Sequence, residues 1–179
     1  SSKTATFAAG SSNNITLNNS NDFKTLVITS GNDVTIVDTD DIALGASDVD
    51  GTYAITSTNG SITNSGNLDI EGASTFTVTN GQSISLNSSG NDFASTVTFT
   101  ASSGTIADIT IVDNSAFDVK ALTITGDLSV TAAGAITDSG NISVDGSGKT
   151  ATFAAGSSNN ITLNNSNDFK TLVITTGNN

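Results

Sequence analysis

The chain has no cysteine, proline, methionine, tryptophan, histidine or arginine among its 179 residues. Each absence removes some chemistry. Without thiols there is neither a disulfide framework nor a cysteine nucleophile, and cysteine usage leaves the compartment open. Without histidine the commonest metal ligand and general base is missing. All five cations are lysines, Lys3, Lys24, Lys120, Lys149 and Lys170, against 17 acidic residues, for a net charge of -12. Nucleic-acid binding depends on clustered cations that displace counterions from phosphates, so this balance excludes nucleic acid and anionic membranes as partners. No apolar run approaches the roughly 20 residues that cross a bilayer as a helix, and the opening "SSKTATF" has no basic region followed by a hydrophobic stretch. No membrane insertion is expected. Any export signal is expected outside this stretch, and the missing initiator methionine fits an internal or processed piece.

What the chain does contain is repetition. "KTATFAAGSSNNITLNNSNDFKTLVIT" occurs at Lys3 and again, unchanged, at Lys149, 146 residues on. A weaker periodicity lies inside it. "TATFAAGSSNNITLNNSNDF" from Thr4 aligns with "STFTVTNGQSISLNSSGNDF" from Ser74, "VTIVD" from Val34 with "ITIVD" from Ile109, and "SITNSGNLDI" from Ser61 with "AITDSGNISV" from Ala135. The three "NDF" tripeptides end at Phe23, Phe93 and Phe169, 70 and then 76 residues apart. The chain therefore divides into units at approximately 3–72, 73–148 and 149–179, the last being the start of a third.

Within each unit, short segments such as "TATFA", "TLVIT", "VTIVD", "FTVTN" and "LSVTA" alternate polar and apolar residues and are rich in Thr, Val, Ile and Phe. Gly, Asn, Asp and Ser separate them. Period-two alternation with β-branched residues predicts strands, and the separators are residues that tolerate tight corners. No segment has the periodicity of an amphipathic helix. Strand spacing alone fits a sandwich, a barrel or a solenoid, but only a solenoid accepts a copied segment anywhere, because each turn needs just the turn before it. The expected fold is all-β: a single continuous, elongated solenoid over residues 1–179, with about eight rungs of roughly 20 to 25 residues, three rungs and three short strands per rung to each unit. At about 4.8 Å per rung the rod is near 40 Å long. The eight phenylalanines, with Phe7, Phe76 and Phe153 at matching positions, are expected to stack in a thin core, and Asn13, Asn14, Asn18 and Asn19 to form amide ladders or solvated corners. Longer stretches such as "TASSGTIAD" before Ile109 are expected to bulge at corners.

The succession from Leu122 to Phe169, "LTITGDLSVTAAGAITDSGNISVDGSGKTATFAAGSSNNITLNNSNDF", resembles the strand repeats of very large bacterial surface and secreted proteins of the filamentous-haemagglutinin type. Both units carry the pattern, so the resemblance covers nearly the whole chain. It implies a right-handed parallel β-helix forming the shaft of an exported adhesin or filament, located outside the cell or on its surface. The stretch "TDDIALGASDVDGTYAITSTNG" from Thr39 departs from it in being more acidic.

Candidate chemistry is sparse. "DGSGKT", Asp145 to Thr150, shares its end with a phosphate-binding loop, but Ser143 stands where the motif needs glycine, and "ATFAA" reads as a strand where the motif needs a helix. The dense carboxylates are Asp38, Asp40 and Asp41 in "VDTDD" and Asp48 and Asp50 in "SDVDG". Calcium takes six to eight oxygens and such turns supply several, so these five are the metal candidates and calcium the one cofactor left open, although neither an EF-hand loop nor a calcium-binding nonapeptide is completed. A glycoside hydrolase needs two carboxylates about 5 to 9.5 Å apart across a cleft. Asp38 and Asp113, at equivalent "TIVD" positions, are the candidate pair, and no arginine is present to act as a lyase base. Thr-x-Thr pairs recur irregularly, unlike an ice-binding face, and sequons such as those at Asn14 and Asn59 follow from an Asn-, Ser- and Thr-rich composition. The sequence thus predicts a non-enzymatic shaft that self-associates end to end or continues into neighbouring repeats. A module that binds glycans on a host or other surface is the rival reading.

Overall fold

The computed structural model describes residues 3–178. Every strand pairing in it is parallel, and no helix occurs among the described residues. The chain winds into a β-solenoid of about 8 turns. Each rung is counted from its strand in one long sheet. The first three rungs carry two strands each: β1 (Thr4–Ala8) and β2 (Ile15–Asn21), β3 (Thr25–Gly31) and β4 (Val34–Asp38), β5 (Ile42–Val49) and β6 (Tyr53–Ser57). The next two carry three: β7 (Ile62–Asn64), β8 (Leu68–Ile70) and β9 (Ser74–Val78), then β10 (Ile84–Leu86), β11 (Asp92–Phe93) and β12 (Val97–Ala101). Three more follow: β13 (Ile109–Asp113), β14 (Phe117–Val119) and β15 (Leu122–Ile124), β16 (Leu128–Ala132), β17 (Ile136–Asp138) and β18 (Ile142–Val144), β19 (Thr150–Ala154), β20 (Ile161–Thr162) and β21 (Asp168–Phe169). Strand β22 (Thr171–Thr176) opens the next rung. The expected three strands per rung hold only from the fourth rung, because β5 is long enough to pair with both β7 and β8.

Only the long sheet runs the length of the rod, in the order β1-β3-β5-β7-β10-β13-β16-β19-β22. Its register stacks like residues. Ile42, Ile62, Ile84, Ile109 and Leu128 form one inward column, all within 1% of full burial. Strands β4, β6, β9 and β13 show strict alternation of buried and half-buried positions, as period-two patterning requires. The phenylalanines do stack: Phe76 lies 6.2 Å from Phe99, and meets Tyr53 and Phe93 edge to face. Close approach of rungs also fixes glycine. A Cβ on Gly60 would collide with the backbone of Asp40 and Asp41 in the rung beneath.

The weak unit does not span a whole number of turns. From β1 to its copy β19 there are seven steps of the long sheet, and seven rungs do not divide evenly between two units. The aligned segments therefore fall on different sides of the rod. "TATF" of β1 lies in the long sheet while its counterpart in β9 lies in the sheet β12-β9-β6-β4-β2, and "VTIVD" of β4 and "ITIVD" of β13 are exchanged in the same way. Phe7 and Phe153 accordingly share a face that Phe76 does not. The exact 146-residue repeat, by contrast, returns to the same face.

Tyr53, the only tyrosine, is fully buried, and its hydroxyl and the paired Ser74 Oγ lack hydrogen-bond partners. Burial pushes the phenol well above its ordinary value. In an alkaline titration followed by absorbance, tyrosinate is expected to be absent up to about pH 12 and to form only as the circular-dichroism signal of the sheet is lost; ionisation near pH 10 in the folded rod would contradict this burial.

Candidate functional site

Three buried aspartates punctuate the apolar interior: Asp38, Asp113 and Asp138, at 0%, 2% and 7% exposure. Each one faces an "NDF"-bearing corner of another rung. Asp38 accepts the Phe23 N–H at 2.7 Å and the Asp40 N–H at 3.2 Å. Asp113 accepts the Phe93 N–H at 3.0 Å and the Ser115 hydroxyl at 2.9 Å. Asp138 accepts the Asn164 N–H at 2.9 Å and the Asn167 amide at 2.7 Å, with the Asn165 N–H at 3.2 Å. The asparagine of each motif ties the same corner: Asn21 donates to Leu17 and Val37 carbonyls, Asn91 to Leu86 and Val112 carbonyls, and Asn167 Oδ1 accepts from Ile142. The "NDF" motif and a strand ending in aspartate, "IVD" at Asp38 and Asp113 and "ITD" at Asp138, are thus two halves of one polar corner lock.

Electrostatics separate the three. Burial raises Asp38 and Asp113 above the usual carboxylate range, despite the N–H groups of Phe23 and Phe93 that favour the charge. At Asp138 burial acts the same way, but the Asn167 amide and the Asn164 and Asn165 N–H groups outweigh it and leave the group below its ordinary value. Asp38 and Asp113 do not form a hydrolase pair. They lie in the second and sixth rungs, roughly 20 Å apart along the axis, and each is engaged by its own corner.

The calcium candidates are dispersed too. Asp38 is buried under its two N–H donors, Asp41 accepts the Ser61 N–H at 2.8 Å, and Asp40, Asp48 and Asp50 are exposed at separate positions. Among the described residues no three carboxylates gather where a metal ion would sit. Outward aspartates instead clamp the next rung: Asp33 takes the Thr52 N–H, Asp108 the Asp127 N–H and Asp127 the Thr150 N–H. These bonds hold Asp33 and Asp127 below the ordinary carboxylate value. Lys149 rests on Asp127 at 3.3 Å and Thr150 begins a strand, so the "GKT" segment is a rung corner. Of the asparagine corners, Asn14 makes a ladder step, accepting from the Asn32 amide at 3.0 Å, whereas Asn13 caps its own turn on the Ala9 carbonyl. Thr-x-Thr pairs align on two successive rungs, Thr75/Thr77 beside Thr98/Thr100, next to Ala54/Thr56.

A sizeable concavity lies mid-rod. Sheet β12-β9-β6-β4-β2 stops at β12, β11 pairs only with β8, and β14 pairs only with β17, so between the fifth and sixth rungs two sides of the solenoid are unzipped. The cause is rung length. Leu86 pairs with Ile111 and Ile106 bridges Ile124; between these fixed points the fifth rung has 19 residues and the sixth 12. The shorter rung cuts inside the longer one. A cleft of about 580 Å³ results, bounded by residues 92–97 on one side and 115–118 and Lys120 on the other. Phe99 and Ala101 are packed against the core but only half-covered, a state otherwise found, among the residues packed against it, in the first and last rungs. Lys120 and Asp118 form an ion pair of 2.8 Å at the rim. The longer "TASSGTIAD" stretch does project at its corner, with Ser102, Ser103 and Gly104 exposed.

Residues 1–30, 31–100 and 106–176 match a family described as repeats of unknown function. The chain belongs to that family, DUF5649. The DUF5649 matches cut the same periodicity at a phase different from the units 3–72 and 73–148. No curated protein and no solved structure matches the chain. For a DUF5649 repeat the structure adds residues that sequence reading passed over: Asp138, Asn91 and the cleft. The coincidence of "NDF" with a β-branched segment ending in Asp one rung away was a visible signal for the first two. The abrupt change in rung length was visible only once the register was known.

The opposed shifts give a paired prediction. Asp113, raised, contributes stability below about pH 4 that is lost as pH rises through its folded value; Asp138, lowered, contributes stability above about pH 4 that is lost as pH falls through its folded value. Asp113→Asn keeps an acceptor for the Phe93 N–H, and the Ser115 hydroxyl, now the donor, can turn to accept from the new amide, so stability relative to the parent is expected to improve from acid to neutral pH. Asp138→Asn replaces one acceptor oxygen by an amide NH2 that faces one or two of the three donors and is expected to cost about 1 to 3 kcal/mol at neutral pH, shrinking in acid. Denaturant melts of both variants at the two pH values check the opposite signs.

Proposed function

We propose that this chain is a shaft segment of a long extracellular bacterial adhesin or filament, a spacer that supplies length and stiffness and performs no catalysis. One observation carries the reading. The identical segments at Lys3 and Lys149 build the same rung contact: Thr4 pairs with Thr25 through Phe7 with Ile28, then skips to Ala8 with Ser30, and Thr150 pairs with Thr171 through Phe153 with Ile174, then skips to Ala154 with Thr176. Even the irregularity is reproduced. A 146-residue period is therefore a mechanical unit that adds onto itself without a joint. The parallel ladder, thiol-free composition and acidic surface suit a rod that works outside the cell, and the resemblance to filamentous-haemagglutinin-type repeats points the same way.

The experiment is a length series. Chains carrying one, two and three 146-residue periods are measured by small-angle scattering, and the maximum dimension is expected to grow by about 34 Å per period, seven rungs at about 4.8 Å. Growth that stops, or a profile of jointed beads, overturns the spacer reading.

Rung addition also has a chemical handle. In β22 Leu172, Val173 and Ile174 are 47%, 37% and 48% exposed, whereas the same sequence in β3 is covered by β5, with Leu26 and Ile28 at 0%. The 179-residue chain is expected to associate through this strand as concentration rises. Leu172→Lys with Ile174→Lys is expected to return it to monomer in sedimentation velocity; unchanged association in that variant refutes the assignment of the contact.

A further inference from the structure

We propose that the mid-rod cleft, which reaches β12 at Val97, and the free edge of β12 beyond it form a docking site for an extended, non-acidic peptide segment of a partner protein, which adds as a strand along that edge. The site owes nothing to the ends of the rod, and its occupation is independent of whether the chain serves as a spacer.

The kind of occupant follows from what the two rungs fail to do for each other. Everywhere else in the long sheet, and on the other sides of the first five rungs and last three rungs, the next rung supplies the donors and acceptors for the strand below. On β12 that supply ends. Its five residues, about 17 Å long, pair with β9 on one edge and with no strand on the other. Unpaired strand edges recruit strands, because main-chain hydrogen bonds provide affinity without demanding a sequence. A rigid sugar or a helix would leave the β12 amides unsatisfied. A strand matches them.

Side chains narrow the chemistry. Phe99 is half-covered and stacks 6.2 Å from buried Phe76, and Phe93 and Phe117 show 3% and 4% exposure in a rod whose other mid-length core residues are mostly at 0%. An apolar or β-branched residue of the incoming strand completes that stack. At the rim stand Asp92 and Asp118, and the lone cation there, Lys120, is already paired with Asp118 at 2.8 Å and donates to Ser139 at 3.0 Å. The local charge is negative, on a chain of net charge -12, so an acidic segment is repelled and a neutral or basic one accepted.

The probe is a capped peptide, Ser-Thr-Val-Thr-Phe-Thr-Ala, which copies residues 95–101 and so has the pattern that stacks on this side of the rod. It is titrated into the full chain bearing Leu172→Lys and Ile174→Lys, which closes the terminal edge, with amide chemical shifts as the readout. Shifts are expected at residues 97–101 and 115–120. A peptide N-methylated at alternate residues is expected to bind at least about tenfold more weakly, as is one with two threonines changed to aspartate. Ala116→Trp, at an exposed position on the cleft wall, is expected to abolish the shifts, while Thr123→Trp, exposed on β15 outside the cleft, leaves them. The proposal is overturned by no binding at millimolar peptide, by equal binding of the N-methylated peptide, by shifts that map elsewhere, or by a neutral oligosaccharide that perturbs residues 92–97 and 115–120 where the peptide does not.

Discussion

The structure depends on one constraint: the backbone amides of each rung must be met by the rung above. A parallel solenoid has no closed sheet within a turn, so its strand-to-strand hydrogen bonding is entirely between turns, and whatever lets consecutive turns follow one path holds the rod together. The long sheet meets this condition from β1 to β22 with isoleucine and leucine stacked in register. Corners are where a path is most easily lost. They are also where the chain spends its polar side chains: inward aspartates receive the amides of the "NDF" turns, and outward aspartates receive the amide that starts the next rung.

This changes how the acidity of the chain is understood. Read as a charge count, the aspartates looked like metal ligands or a paired active site. In the structure many of them are acceptors for one or two specific N–H groups, and they lie apart because the corners lie apart. Asp38 and Asp113 remain apart for the same reason that they resemble each other: each closes one corner of the rung before its own. The raised values of these two show that the lock is made against a desolvation cost, while Asp138, with more donors, escapes it.

Much of the fold was legible in the sequence. Alternation in "VTIVD" and "FTVTN" predicted inward and outward residues correctly, and the copied segment chose a solenoid over a sandwich. Which side of the rod a segment occupies was not legible, because Thr-Val-Ile strands carry the same in-and-out code on every side, and "TATF" serves the long sheet in one unit while its relative serves the neighbouring sheet in the next. Strand number per rung was misjudged in the first turns, where β5 bends across two sides without a glycine-rich break. The cleft was hidden for a related reason: "TASSGTIAD" announced a longer stretch, but only pairing shows that the rung after it is shorter by seven residues.

The odd number of rungs in the exact repeat has a geometric outcome of its own. Two related units share seven turns, so a feature carried by one points to a different side from the corresponding feature of its sister, whereas anything carried once per 146 residues returns to the same meridian. In an array of such pairs the unzipped step between β12 and β14 recurs along a single line, about 34 Å apart. The rod then has a front and a back. Partners gathered along that line would all face one way, and a fibre built from a sequence of nearly uniform composition would acquire a polarity around its axis as well as along it.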